Sequence, residues 1–194
     1  MKSKCHKTGN KLLGFTLIEL MVTLSVLGIL LALAAPSLRD FLVANRLSTN
    51  VNSVIGLLNY ARSEAIVRNQ AVAVCARDGA SGQCSTSQFW GELELMVFVD
   101  VNGNNNFDAG DEMLKTTTAV DVSNTQMAMT VGSNIPNFVG FGANGMSQRN
   151  FRLNINAIGD AAYELKYGRT ICISRPGRAR VGPLLSVGGL CPAQ

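Results

Sequence analysis

The chain has 194 residues, a formal charge of +4 and a single histidine, His6. That histidine lies in a short basic N-terminal stretch, so the rest of the chain lacks the commonest general base and a frequent metal ligand. No Gly-x-Ser-x-Gly, P-loop or dinucleotide fingerprint occurs either, so neither an enzyme nor a cofactor is expected.

Residues 1–14 are uncapped and carry Lys2, Lys4, Lys7 and Lys11, the pattern of a leader and not of structure. From Phe15 to Ala35 there are 21 residues with one charge, Glu19. As a helix this run is roughly 30 Å long, enough to cross a bilayer. The lysines in front of it place the leader in the cytoplasm, so everything after Ala35 is expected to be exported. A carboxylate inside such a run costs about 2.5 to 3.5 kcal/mol at mid-helix on translocon scales, so Glu19 needs a partner.

The residues Lys11-Leu12-Leu13-Gly14-Phe15-Thr16-Leu17-Ile18-Glu19-Leu20 resemble the processing site of type IV prepilins and type II secretion pseudopilins. The resemblance implies a cut between Gly14 and Phe15 by a prepilin peptidase and N-methylation of Phe15. Glu19 would then face the amino terminus of a neighbouring subunit during assembly, which resolves its charge by pairing. Loss of the leader leaves 13 basic and 13 acidic residues, a formally neutral mature chain. Its expected localisation is the inner membrane, single-pass, with a periplasmic C-terminal domain, and the pilus or extracellular space after assembly.

Pro36 stands where the helix would leave the bilayer, and a helical proline kinks more readily than it stops a helix. Beyond it Leu38, Phe41, Leu42, Val51, Val54, Ile55, Leu58, Ala61 and Ala65 recur mostly at three- and four-residue spacing, one apolar stripe. A helix from Phe15 to about Arg68 would be roughly 80 Å long, with a weak spot in the stripe at Asn45–Asn50. Leu57-Leu58-Asn59-Tyr60-Ala61-Arg62-Ser63-Glu64-Ala65, followed by Arg68-Asn69, resembles the GspH/FimT family of minor pilins and pseudopilins.

Short β candidates follow: 71–76, 89–100, 113–120, 126–131, 137–141, 151–155, 162–166, 170–175, 178–182 and 184–187. In 89–100 Leu93, Leu95, Val97 and Val99 alternate with Glu92 and Glu94, a half-buried pattern. Turns at Asn102-Gly103, Asn144-Gly145 and Pro176-Gly177 separate several of these. The expected fold is α+β: a long N-terminal pilin helix packed on an antiparallel β-sheet domain. Its expected parts are a leader (1–14), a transmembrane and assembly helix (15–36), an amphipathic helix (37–70) and a periplasmic β-rich domain (71–194).

Cys5 leaves with the leader, and Cys75, Cys84, Cys172 and Cys191 remain, an even number suited to two disulfides in an oxidising compartment. Three connectivities are possible. Cys75–Cys84 and Cys172–Cys191 are favoured because each pair brackets a short Gly-containing segment. No Cys-x-x-Cys spacing supports zinc.

Asp100, Asn102, Asn104, Asn106, Asp108 and Asp111 set oxygen ligands in a calcium-loop rhythm. The sixth loop position, however, is Asn105 where calcium loops have Gly, and the twelfth is Asp111 where they have Glu. A solvated hairpin loop is the competing reading, and no metal is assigned on these grounds.

Charge is polarised. Residues 78–121 carry a net −7 and residues 149–194 a net +5, the latter from Arg149, Arg152, Lys166, Arg169, Arg175, Arg178 and Arg180 against Asp160 and Glu164. Arginine forks onto phosphate oxygens. If strands pair around Pro176-Gly177, Arg178 and Arg180 share a face with Cα atoms roughly 6 to 7 Å apart. Gly177-Arg178-Ala179-Arg180 resembles the Gly-Arg-x-Arg element of FimT-type minor pilins that bind DNA in natural transformation. No aromatic residue interleaves with these arginines, so duplex DNA contacted through phosphates, largely independent of sequence, is the implied partner. A purely structural minor pilin and a GspH-like pseudopilin of a type II secretion system stand beside this reading. The other expected partners are neighbouring pilin subunits.

Overall fold

The computed structural model describes residues 15–86, 90, 93–117, 129–131, 138–156 and 161–184, with backbone alone at 34–37, 39, 129–131, 161 and 163. The chain divides into two compact units, Met1–Phe41 and Leu42–Gln194.

Helix α1 (Leu17–Arg68) begins in the first unit. Thr16 Oγ1 accepts the Glu19 N–H at 3.3 Å, so Thr16 caps the helix and Glu19 stands at its third position. There the unpaired N–H groups of the first turn favour a carboxylate. Phe15, Leu17, Ile18 and Leu33 are among the exposed apolar side chains of this unit. The hydroxyls of Thr23 and Ser25 donate to the Leu20 and Met21 carbonyls, so neither interrupts the apolar surface. Among the described residues no helix is long and apolar enough to cross a membrane. The side chains of 34–37, within the expected span, lie outside those described, and the span over 15–36 remains a proposal. The Asn45–Asn50 weak spot leaves the helix uninterrupted.

In the second unit α1 buries Leu47, Val51, Val54, Leu58, Ala61 and Ala65 at alternating steps of four and three, with Leu57 beside them. Each fully buried branched side chain contributes about 1.5 to 3 kcal/mol. That packing, more than helix propensity, fixes this half of the helix. Leu38, Phe41 and Leu42, expected in the same stripe, are instead exposed. The core cluster reaches no further up the helix than Val43, and periodicity reports a stripe without saying what covers it. The helix stops at Asn69, whose φ of 53° lets the Gln70 N–H turn back to the Ala65 carbonyl at 3.2 Å. Arg68 ties that end down through Glu64 and Glu112, both at 2.8 Å.

Among the described residues eight strands form two antiparallel sheets: β1 (Val72–Arg77), β2 (Glu94–Val99), β3 (Glu112–Thr116), β4 (Met129–Val131), β5 (Phe138–Phe141), β6 (Phe151–Ile155), β7 (Arg169–Ile173) and β8 (Ala179–Pro183). One sheet has the order β3-β2-β1-β5 and the other β4-β6-β7-β8. The α+β architecture expected from the sequence is the one observed. Both sheets turn apolar residues onto α1, among them Val74, Val97 and Phe141 from the first and Leu153 and Ile171 from the second.

Three expected elements differ. Strand β2 begins at Glu94 and is buried on both faces: Met96 and Phe98 join Ala73 and Cys75 in a second small core with Cys84, Phe107 and Phe138 packed against it. Alternation looked half-buried because it cannot show a second cover. Residues 162–166, expected as a strand, belong to helix α2 (Ala161–Tyr167), where Ala, Glu, Leu and Lys follow their helix preference. Arg178, expected to open the strand over 178–182, lies one residue before β8. The expected strand over 184–187 reaches only Leu184 among the described residues, which is outside any strand.

Candidate functional site

Strands β7 and β8 pair from Arg169↔Pro183 to Ile173↔Ala179. The Ser174 N–H bonds the Arg178 carbonyl at 3.1 Å, extending the pairing one step, and Arg175-Pro176-Gly177 closes the hairpin. The Gly177 N–H returns to the Ser174 carbonyl at 2.7 Å, with Gly177 at φ 78°, the three-residue hairpin in which the last loop residue is left-handed.

Gly177 answers a second demand. A Cβ there would run into the Gly145 carbonyl oxygen and lie 2.8 Å from Arg62 Nε. Arg62, on α1, donates from Nε to that same carbonyl at 2.9 Å, so the tip of the hairpin rests on the helix through Gly145. Its flank is held too: the Ser147 N–H bonds the Arg175 carbonyl, and the Arg175 N–H bonds Asn150 Oδ1, both at 2.9 Å. The backbone is therefore fixed on two sides.

The side chains are not. Arg149, Arg175, Arg178 and Arg180 are exposed, and the ion pairs among the described residues join Arg68 to Glu64 and Glu112 and Arg77 to Glu94, none of them in this group. Register places Arg152 opposite Cys172 and Cys172 opposite Arg180. These three share one face of the second sheet, with the outer two about 10 Å apart. Alternation through the Ser174–Arg178 bond adds Arg178 to that face.

Lys166 and Arg169 do not join this group. Arg169 is half-buried, and its guanidinium donates to the carbonyls of Lys166, Tyr167 and Gly168 at 3.2, 3.0 and 2.9 Å, closing the C-terminus of α2 as a cation there should. The Lys166 ammonium lies 4.8 Å from the centroid of the Tyr167 ring. The seven basic residues thus separate into five near the hairpin and two at the far end of β7. Arg62, absent from the expected set, is the residue that seats the hairpin. Its place beside the apolar stripe gave no hint, because its partner is a backbone carbonyl 83 positions away.

Phe15 and Glu19 are exposed, and Gly14 lies outside the described residues. Cys75 and Cys84 form a disulfide that holds the loop between them against the second core. Cys172 is also disulfide-bonded, while Cys191 lies outside the described residues. In the loop closed by Cys75–Cys84, Asp78 accepts the Ala80 N–H at 3.1 Å and the Ser81 hydroxyl at 2.8 Å. The Ala80 bond, then the Ser81 hydroxyl, hold its carboxyl below the usual carboxylate range. Asp100, Asn102, Asn104, Asn106, Asp108 and Asp111 all sit in the β2–β3 connection. Among the described residues no three His, Cys, Asp or Glu side chains gather as a metal cage.

One amphipathic helix on two antiparallel sheets, with an exposed apolar N-terminal segment, defines a pilin-like subunit. The family model of the type II transport protein GspH matches residues 50–177, and that of the prokaryotic N-terminal methylation motif matches residues 10–35. The chain belongs to the GspH family. It is 36% identical over 102 residues to the pilin-like protein PilA1 of Thermus thermophilus, an alignment covering 51% of this chain and 55% of that protein. The chain thus spans about half the length of this curated relative. The minor pilin FimU of Pseudomonas aeruginosa shares the fold, at 22% identity and a TM-score of 0.52, over 72% of this chain and 90% of that one. The minor pseudopilin EpsH of Vibrio cholerae is matched at 16% identity and a TM-score of 0.45, over 71% and 97%.

Proposed function

We propose that the chain is a minor pilin, anchored in the inner membrane by residues 15–36 after a cut at Gly14, and incorporated into a type IV pilus that contacts duplex DNA through its C-terminal hairpin. The methylation-motif match over residues 10–35 supports the processing and anchoring. Exposed Arg175, Arg178 and Arg180 on a hairpin whose backbone is seated on Arg62 and Gly145 support the DNA contact. This is the observation that carries the reading. A fixed backbone with exposed guanidinium groups presents charge to phosphates without first having to order a loop. Arg152 extends the same basic face and exposed Arg149 adds to the charge beside it, while Arg169 and Lys166 contribute to the field and not to the contact. On an exported fibre such a subunit serves DNA capture in natural transformation.

The test is binding of the detergent-solubilised full chain to two labelled duplexes of unrelated sequence. Equal affinity for both, and a loss of about tenfold or more in an Arg178→Gln/Arg180→Gln variant at low salt, is expected. Undiminished binding by that variant overturns the DNA contact and leaves a structural subunit.

A further inference from the structure

We propose that the β2–β3 connection is a calcium site. Asp100 directly follows β2 and is only 3% exposed. Its Oδ2 accepts the Asn105 N–H at 3.0 Å, so the carboxylate is turned into the loop. Its Oδ1 is enclosed and has no hydrogen-bond partner among the described residues. A buried carboxylate oxygen with no donor is costly, and a cation is the partner that removes the cost.

The rest of the loop supplies what such a cation needs. Asn102 Nδ2 lies 3.3 and 3.1 Å from the two Asp108 carboxylate oxygens, and Asn104 Nδ2 lies 2.6 Å from one of them. Asn102 and Asn104 therefore meet at the Asp108 carboxylate. Calcium would displace these amide N–H groups as the partner of Asp108, while Asn102 and Asn104 turn their oxygens to it. Both amide oxygens now accept backbone N–H groups, of Asn104 at 3.0 Å and Asn106 at 2.7 Å, and each keeps a second lone pair. The Asn106 carbonyl stands at the seventh position, where calcium loops use main-chain oxygen.

The two departures from a standard calcium loop have structural answers. Asn105 holds φ 60° at the sixth position, the left-handed turn that glycine usually supplies and that asparagine tolerates. Asp111 accepts the Val101 and Asp108 N–H groups, each at 3.0 Å, so it closes the loop and leaves the last coordination places to water. Two carboxylates with amide and carbonyl oxygens make a hard, flexible oxygen site, suited to calcium over zinc or octahedral magnesium. Its expected dissociation constant is on the order of 10⁻⁴ to 10⁻³ M, the range of extracellular modules.

The experiment is calorimetric titration of chelator-treated full chain in detergent with calcium chloride, and with magnesium chloride in parallel. Expected are one saturable calcium site, a higher Tm with calcium than with chelator, and affinity reduced about tenfold or more in Asp100→Asn and in Asp108→Asn. Asp78→Asn, in another loop, should bind as wild type does. Asp108→Asn keeps the test open should Asp100→Asn fail to fold. No saturable binding up to about 10 mM calcium, equal affinity for magnesium, or wild-type affinity in folded Asp108→Asn overturns the proposal.

Discussion

The β7–β8 hairpin and the β2–β3 connection are both turns at a sheet end, yet they use polar side chains in opposite ways. Around the hairpin the backbone bonds are made, and Arg149, Arg175, Arg178 and Arg180 face solvent. In the β2–β3 connection Asn102, Asn104, Asp108 and Asp111 are consumed by the loop itself, and one carboxylate oxygen of Asp100 has no donor among the described residues. The first is built to meet an anion outside the chain. The second is built around a point within it. The two are connected: Gln148 Nε2 donates to Asn105 Oδ1 at 2.9 Å, and neighbouring Ser147 donates to the Arg175 carbonyl.

Leu58→Ala should have the largest effect, because the same core supports both regions. A fully buried leucine truncated to alanine costs about 2 to 5 kcal/mol, read as a lower Tm with DNA and calcium affinity unchanged in the fraction that stays folded. Replacing Cys75 and Cys84 by alanine removes a short closed loop and should cost about 2 to 3 kcal/mol, again without change in salt-dependent DNA binding. Loss of DNA binding in that variant would show that the two regions are not separable.

Gly177→Ala addresses the hairpin alone. The left-handed φ costs about 1 to 2 kcal/mol for a residue with a Cβ, and the Gly145 carbonyl must also give way. DNA affinity should fall although every arginine is still present, and unchanged affinity would show that the seated backbone is irrelevant.

The smallest effect expected is in Asp78. Its folded pKa is depressed, so its contribution is present above the unfolded carboxylate pKa and is lost as pH falls through the folded value. Denaturation profiles of wild type and Asp78→Asn should therefore differ at neutral pH and converge in acid.

The helix and most strands were legible because Val51, Val54, Leu58 and Ala61 repeat with helical period and 151–155 alternates. What was hidden depends on a short helix or on partners remote in sequence. Arg169 caps α2 only because 161–167 is helical, and seven residues are too few for a periodic signal. Gly177 was read as a turn residue, but its close approach to Gly145 and Arg62 joins three distant segments. The exposure of Leu42 likewise depends on where the core of the second unit ends, at Val43, which no stripe records.

The most direct measurement is the slope of log affinity against log salt for duplex DNA, with wild type and Arg178→Gln/Arg180→Gln compared under the same conditions. If each guanidinium neutralises one phosphate, the double variant should flatten the slope by roughly 2, with no change in sequence preference and with circular dichroism and Tm preserved. Equal slopes and equal affinities at every salt concentration would contradict the account.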